Sequence, residues 1–373
     1  MRGADVMQEA LFTVKRLDEF VPPSHPLRAI RDILNTALAS LDAKFDSMYA
    51  PTGRDSIAPE KLLRALVLQA VYGIRSERAL CEHLGYNMLY RWFVGIPMQA
   101  EVWDHSSFTR NRDRLIEHDG VRALFGEIID TAERAGLLSD EHFSVDGTLI
   151  RAWASHKSMV PRDGIDPPDK SGPKSNPEVN FKGTRRTNDT YVSATDPDAM
   201  LATKSKREGA HLSYAGHALM ENRNGLAVDC EVTKATGTAE RDCARELIAR
   251  QPHAATLGAD KNYDTHDFVR DCRGEGVTPH VAQNTARNGG SAIDGRTTRH
   301  AGYAVSQHIR KRIETLFGDG KQHRGVLRQL KVRGLKKADF VFTLVLSVTN
   351  LVRMAKLIPQ ALNQARCEPS PTG

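Results

Sequence analysis

Cysteine is scarce and unpatterned in this chain of 373 residues. The five present, Cys81, Cys230, Cys243, Cys272 and Cys367, are odd in number, scattered, and nowhere spaced Cys-x-x-Cys. That excludes a disulfide framework and a cysteine-based zinc site, and it points to a reducing compartment. Long apolar runs are missing as well. Met1 to Leu17 carries Asp5, Glu9, Lys15 and Arg16 in place of a signal-peptide core. The longest apolar stretch, Phe340 to Leu346, is broken by Thr343 and is too short to cross a bilayer. The expectation is a soluble, cytoplasmic protein with no membrane partner. A strong excess of one charge is also lacking, because 52 Lys and Arg face 46 Asp and Glu for a net of +6. Placement matters more than the total: residues 284–356 hold 15 cations and 4 acids, a local +11, and the remainder is net acidic. Such a block suits a polyanion such as nucleic acid, with a merely solvated surface as the alternative.

What is present divides the chain, whose length exceeds the ~250–300 residues that one core usually serves. Residues 1–135 alternate helical patterns with short polar breaks. Leu27, Ile30, Leu34, Leu38 and Leu41 recur at helical spacing, as do Leu62, Leu63, Leu66, Val67 and Ala70 behind Pro59 at a first helical position. Ser76, Asn87 and Ser106 or Ser107 read as N-caps of shorter helices, with Gly73, Gly85 and Gly95 in the turns. That outline fits a helix-turn-helix-like DNA-binding domain. Its last helix, with Arg110, Arg112 and Arg114, could lie against phosphates, although bundles that bind nothing look similar.

After Gly136 the texture becomes mixed α/β over residues 136–358. His142 to Asp146 alternates as a strand and ends in Asp-Gly. Residues 156–210, rich in Pro, Lys, Asp and Ser, read as a mobile insertion. His211–Glu221 and Leu226–Thr233 flank the turn Asn222-Arg-Asn-Gly225 as a hairpin, with His217 and Glu221 on its surface and Asp229 and Glu231 on a solvated or partner face. Thr256 to Asp260 is a second short strand ending on Asp. Asp264 and Asp267 read as flanking or capping the helix after it. Trp92 and Trp153 are expected in the core, and residues 359–373 form a flexible tail.

The remaining acid of interest is Glu314, within Arg310-Lys-Arg-Ile-Glu314-Thr-Leu-Phe-Gly-Asp-Gly-Lys321. Taken alone it is an ion-paired surface residue, and Asp146 alone is equally a turn-forming Asp-Gly. Together, two strand-end aspartates and one helical glutamate can gather at a sheet edge. Clustered carboxylates repel, and bound Mg²⁺ or Mn²⁺ makes them tolerable. Two such ions serve phosphoryl transfer, and Arg310, Arg312 and Lys321 are then placed to hold phosphates.

Val145-Asp146-Gly147-Thr148, Gly258-Ala259-Asp260-Lys261-Asn262-Tyr263-Asp264 and Arg310 to Gly318 resemble the three catalytic blocks of bacterial insertion-sequence DDE transposases, of the insertion-sequence-five-like group. Ala215 to Gly225 and Thr190 to Asp198 fit as well, and residues 50–117 resemble that group's helical N-terminal domain. The resemblance implies an α/β RNase H-like catalytic domain, a mixed sheet flanked by helices, behind an α-helical N-terminal domain. It implies DNA as partner, cut at terminal inverted repeats and joined through its 3′-OH to target DNA by a dimer in a synaptic complex. Asp146, Asp260 and Glu314 would be metal ligands for two Mg²⁺ or Mn²⁺ ions, in a bacterial cytoplasm at the nucleoid. A catalytically decayed copy, or one recruited as a regulator that only binds repeats, is the alternative. Two positions leave the pattern. Gln307 stands where the group has Tyr, removing an aromatic contact to DNA, and Asp319 stands where relatives have Trp, adding a negative charge expected to weaken phosphate binding.

Overall fold

A computed structural model describes residues 16–49, 56–164, 186–204, 208–251, 255–286 and 288–367, with side chains as far as residue 358. The N-terminal third is helical: α1 (Leu27–Ala39), α2 (Asp42–Ser47), α3 (Pro59–Val71), α4 (Glu77–Tyr86), α5 (Met88–Val94), α6 (His105–Glu117) and α7 (Gly120–Arg134). Local chemistry sets several of these boundaries. The Ser76 side chain accepts from the Ala79 amide, Asn87 accepts from the Tyr90 amide, and Gly95, at φ 84°, closes α5 in the left-handed conformation.

Helix α6 starts earlier than expected. Asp104, not Ser106 or Ser107, caps it, its carboxylate taking both the amide and the hydroxyl of Ser106. Two of its arginines are spent inside the fold. Arg112 pairs with Glu77 and Asp113, and Arg114 stacks 4.6 Å over the Tyr49 ring, which leaves Arg110 exposed.

The remainder is built on a sheet. In chain order come β1 (His142–Arg151), β2 (Met159–Pro161), β3 (Tyr191–Ser193), β4 (Met200–Ala202), β5 (His211–Glu221), β6 (Ala227–Lys234), α8 (Ala239–Ala249), β7 (Thr256–Ala259), α9 (His266–Gly274), β8 (Thr278–Val281), α10 (Gly295–Thr298), α11 (Ala301–Ile309), α12 (Glu314–Gly318) and α13 (Leu335–Cys367). β5 is antiparallel to β1 on one side and to β4 and β6 on the other, while β7 and β8 continue from β1 in parallel. Short β2 and β3 form a separate ribbon, so the described part of the 156–210 insertion is locally ordered; its residues 165–185 and 205–207 lie outside the described residues.

Because β5 is central, both of its faces are covered. His217 and Glu221, expected on a hairpin surface, are 1% and 0% exposed. The hairpin reading was right about pairing and wrong about burial, since the residue pattern of two strands does not reveal further layers. Asp229 is likewise drawn in, ion-paired to Arg250 at 2.8 Å. Trp153 departs in the other direction, at 46% exposed: side chains alternate beyond β1, so Ala152 and Ala154 turn inward and Trp153 turns out. Trp92, as expected, is buried.

Helix α13 joins the two halves. Phe340, Leu344, Val348, Leu351 and Met354 complete the core of the N-terminal helices, while Ala338, Phe342, Val345 and Leu346 lie in the core over the sheet. It is therefore apolar nearly all round. Leu335–Ile358 is long and apolar enough to cross a membrane, a longer segment than the Phe340–Leu346 run suggested, but most of it is buried between these layers. It also runs on through Pro359 to Cys367 rather than giving way to a tail at 359, an end already anchored along its preceding turns; residues 368–373 lie outside the described residues.

Two aspartates from the Thr190–Asp198 stretch hold the start of α13. The Gly334 amide donates to Asp196 at 3.2 Å and to the Tyr214 hydroxyl at 3.0 Å, and the Leu335 amide donates to Asp198 at 3.1 Å. Tyr214 in turn donates to Asp196, which is 1% exposed. Acids here satisfy free amides at the positive end of the helix. Asp196→Ala should therefore cost about 2–3 kcal/mol by stranding buried donors, measured as a lower midpoint in urea unfolding with unchanged slope.

Candidate active site

The site begins with strand register. β1 pairs with β7 only at the start, Ser144 standing opposite Gly258. Two residues further on stand Asp146 and Asp260: Asp260 just past the end of β7, and Asp146 midway along β1, which does not end at Asp146 as expected but continues to Arg151 because β5 goes on pairing with it. Asp146 is half-buried, and its carboxylate accepts from the Gly147 amide at 2.8 Å. Asp260 leaves β7 in a turn, accepting from the Asn262 amide at 2.7 Å.

Glu314 arrives on a helical run that lies against β7. A Cβ on Gly258 would stand 3.1 Å from Arg310 Cβ and 3.3 Å from Ser306 Oγ, which shows how closely the run crosses β7. Leu316 and Phe317 anchor it in the core, at 0% and 6% exposure, and leave Glu314 exposed. The run is not the regular helix expected. It passes from α11 through a 3-10 turn at Arg310–Ile313 into α12 and then a π turn at Asp319–His323. These changes of pitch shift where each side chain points.

Charge ties the residues together. Burial first, then Asp260, Glu240 and Glu314, raise Asp146 to about 7, against the pull of the Gly147 amide. Asp260 and Glu314, the other two acids singled out in the sequence, thus both act on Asp146, and Glu240 joins them. Burial and Asp260 raise Glu240 as well. Sequence reasoning missed Glu240 because an acid in the first turn of a helix reads as a partner of the helix dipole. Tyr263, fully buried, has its hydroxyl raised by burial and by Asp146, Glu240 and Asp260, and that hydroxyl has no hydrogen-bond partner among the described residues.

Among the described residues none of these four carboxylates forms an ion pair with Lys, Arg or His, and Arg241 offsets only part of the charge effect at Glu240, so the donor set is several hard oxygens with little compensating charge. That chemistry fits Mg²⁺ or Mn²⁺. The donors are spread, however, and among the described residues no three His, Cys, Asp or Glu side chains converge tightly enough to enclose an ion. Uncompensated like charge has a measurable signature. An acid raised from 3.8 to about 7 binds more protons folded than unfolded across that window, so stability falls as pH rises through it. Metal-free protein should be less stable, and melt lower, at pH 8 than at pH 5, by at most about 3 kcal/mol for Asp146, and Mg²⁺ should restore much of the loss at pH 8.

Residues 138–351, more than half of the chain, match the profile of the Transposase DDE domain family. The chain belongs to the DDE transposases. Residues 15–114 match a second profile, a transposase domain designated DUF772. No curated protein matches the sequence. Among solved structures, a cryo-EM structure of the piggyBac transposase synaptic complex with hairpin DNA aligns with 93% of this chain and 82% of that one, at 10% identity and a TM-score of 0.36. That likeness is too distant to bear on the site. The protein is a DNA transposase with an RNase H-like catalytic fold, a DDE-type polynucleotidyl transferase, and its family uses divalent metal ions.

The cations of the transposase fall into different settings. Lys321 is half-buried, donating to the Thr148 hydroxyl at 2.6 Å and to the Leu149 carbonyl at 2.7 Å. Burial, with Lys204 and Arg151, lowers it to about 8. Arg310 donates to the Gln307 side chain at 3.0 Å, and Gln307 donates to the His280 carbonyl. The residue standing in place of Tyr thus links Arg310 to β8. Arg312 is exposed on the 3-10 turn.

Asp319 corrects an expectation. It turns inward instead of standing among Arg310, Arg312 and Lys321 as a free charge. Its carboxylate accepts from Arg324 at 2.7 Å and from the Thr349 hydroxyl of α13 at 3.1 Å. Arg324, 8% exposed, reaches the Ala70 and Val71 carbonyls at the end of α3. Asp264 flanks α9, as expected, without capping it. It accepts from the Asn284 and Ala292 amides, and Thr265 caps α9.

Proposed function

We propose that this transposase cuts DNA at the terminal inverted repeats of its element and transfers the freed end into target DNA, with Asp146, Asp260 and Glu314 as the catalytic carboxylates. The observation that carries this reading is the register of β1 with β7, which sets Asp146 beside Asp260 in a field that also contains Glu314. In the first step a water oxygen bonds to phosphorus, the P–O3′ bond breaks and the 3′ oxygen leaves as a hydroxyl. In the second, that 3′-OH attacks a target phosphodiester, loses its proton and displaces the target's own 3′ oxygen. One P–O bond forms for each that breaks, so no energy source is consumed. Two Mg²⁺ or Mn²⁺ ions held by the three carboxylates would supply charge stabilisation at the attacking and leaving oxygens.

The chain's own groups do the rest. Arg310, Arg312 and Lys321 hold phosphates of the DNA beside the carboxylates, Arg310 steadied by Gln307 and Lys321 by Thr148. The reading assigns residues 1–135 to repeat recognition and 136–358 to catalysis, in a dimer assembled on two DNA ends at the bacterial nucleoid. Arg310, Glu314 and Lys321 at intervals of four and seven support membership of the insertion-sequence-five-like group. Purified protein should nick a duplex carrying its inverted repeats in Mg²⁺ and not in EDTA. Repeat binding without cleavage in any divalent ion would establish a regulator instead.

A further inference from the structure

The far half of β1 leads away from Asp146 and ends in a backbone held from both sides. The Ala152 amide donates to the Leu212 carbonyl of β5 at 2.8 Å, and the Leu330 amide donates to the Arg151 carbonyl at 2.9 Å. Side chains alternate along this fixed segment. Ala152 and Ala154 enter the core over the sheet, whereas Arg151, Trp153 and Ser155 face solvent. An indole that is nearly half exposed thus stands on a rigid support.

A single exposed apolar side chain is commonplace on a folded protein. The surroundings of Trp153 set it apart. Residues 147–162 contain no acid and carry Arg151, Lys157 and Arg162. Lys321, bonded to Thr148 and Leu149 between Asp146 and Arg151, lies in the field of both Arg151 and Lys204. Among the described residues Arg151, Lys157 and Lys204 form no ion pair, so cations line the way from the catalytic aspartate to the indole. Charge for a sugar-phosphate backbone beside a flat ring for a base is the pairing used to hold single-stranded nucleic acid. The strand also supplies a ruler. Seven residues at ~3.3 Å each set Trp153 ~23 Å from Asp146, or ~7 nucleotides at the ~3.4 Å spacing of a stacked strand.

We propose that Arg151, Trp153 and Lys204 extend the active site into a track for one DNA strand, in which Trp153 stacks on an unpaired base within about seven nucleotides of the cut phosphate. A base inside a duplex has both faces covered by its neighbours, so only an unpaired one can take the ring. The contact tolerates any base sequence, because every base has a flat face. This inference rests on the reading of the chain as cutting DNA at Asp146, and it adds a contact to a base where Arg310, Arg312 and Lys321 hold phosphates. The competing accounts leave Trp153 a bystander on the surface or give it to a second copy of the chain.

Titration of the full-length protein with an oligothymidylate in EDTA separates these accounts without metal or cleavage. Anisotropy of a labelled strand reads affinity. Tryptophan fluorescence reads the stack, because Trp92 and Trp103 pack in the helical N-terminal core and Trp153 does not. Wild type should bind with quenching. Trp153→Ala should bind about tenfold more weakly with unchanged salt dependence, since no charge is lost. Trp153→Phe should keep most of the affinity and lose the quenching, and Arg151→Ala should lower the salt slope by about 0.7. In a repeat-end strand, 2-aminopurine should respond most within about seven nucleotides of the cut. Circular dichroism verifies the fold, and Trp153→Phe decides alone if Trp153→Ala does not fold. Unchanged affinity in Trp153→Ala, quenching retained in Trp153→Phe, or a wild type that does not bind the strand overturns the track. Self-association lost in Trp153→Ala with strand binding intact also overturns it, in favour of a second copy. Nicking of repeat-bearing duplex by wild type in Mg²⁺ would leave the broader reading standing in each of these cases. Quenching and weakened binding as expected, without any nicking, would refute that reading and keep the track.

Discussion

Asp146→Asn should lower strand cleavage by about 10³-fold or more and at the same time raise the melting temperature of the metal-free protein at pH 8. The two effects share one cause. Asp146 sits in the field of Asp260, Glu240 and Glu314 with burial opposing its charge, and it titrates near 7 instead of in the usual carboxylate range. Ionised at pH 8, it destabilises the fold; an amide of the same shape removes the charge and can still accept from the Gly147 amide. Under the proposed assignment cleavage, in contrast, needs the charge, because a neutral amide is a far weaker partner for a divalent ion. Losing about 4 kcal/mol of transition-state stabilisation corresponds to roughly three orders of magnitude in rate. Asp260→Asn and Glu314→Gln should lose activity to a similar degree. In Asp260→Asn the turn survives, since the amide oxygen can still accept from Asn262, and Glu314 is exposed enough that its loss should hardly affect stability. Cleavage of repeat-bearing DNA in Mg²⁺, paired with thermal unfolding in EDTA, reads both quantities. Retention of a tenth of wild-type cleavage by any of the three variants removes that residue from the catalytic set.

Asp319→Ala should be the most damaging substitution for stability outside the apolar core, at about 3 kcal/mol. Removing Asp319 leaves the Arg324 guanidinium buried without its carboxylate, and breaking such a pair from one side typically costs about 3–5 kcal/mol. The lower end applies because the Asp319 side chain is 27% exposed. The damage should spread, since Arg324 also reaches the carbonyls that end α3, and its own carbonyl lies against Gly73, where a Cβ would come within 2.6 Å. The Asp319–Arg324 pair thus joins the helical N-terminal layer to the segment that delivers Glu314. Urea unfolding should show the lowered midpoint. A reciprocal Arg324→Met change in the Asp319→Ala background should recover part of the loss, because an apolar side chain does not need the missing carboxylate. A loss below 1 kcal/mol in the single variant, or no recovery in the double, would refute this account.

Periodic patterns and caps made much of the architecture legible. Pro59 and the apolar spacing behind it delimited α3, Ser76 and Asn87 marked two N-caps, and Asn222 to Gly225 marked the hairpin between β5 and β6. These are local signals, set by which backbone groups a neighbouring side chain can satisfy. The errors share a different origin. Ser106 looked like a cap until Asp104, two residues earlier, proved the stronger acceptor. His217 and Glu221 looked exposed because a hairpin does not announce that α8 will cover one face and α13 the other. Asp319 looked like an intrusion among cations because it opens a π turn, Asp319–His323, that brings it onto Arg324 just beyond, a pitch the sequence does not reveal.

The sequence by itself determined the mixed α/β class, the position of Asp260 at the end of a strand and of Asp146 on one, the placement of Glu314 in a cationic helical segment, and the blocks that pointed to a DDE transposase. Each follows from residue type and spacing over a few consecutive positions. Only the tertiary structure decided that Asp146 and Asp260 stand side by side, because that depends on parallel pairing across more than a hundred residues. It also decided that α13 serves two cores at once, that Asp319 faces inward, and that Glu240 and His217 meet over Gly147. Burial and electrostatic proximity are properties of layers brought together from distant parts of the chain, and no local pattern encodes them.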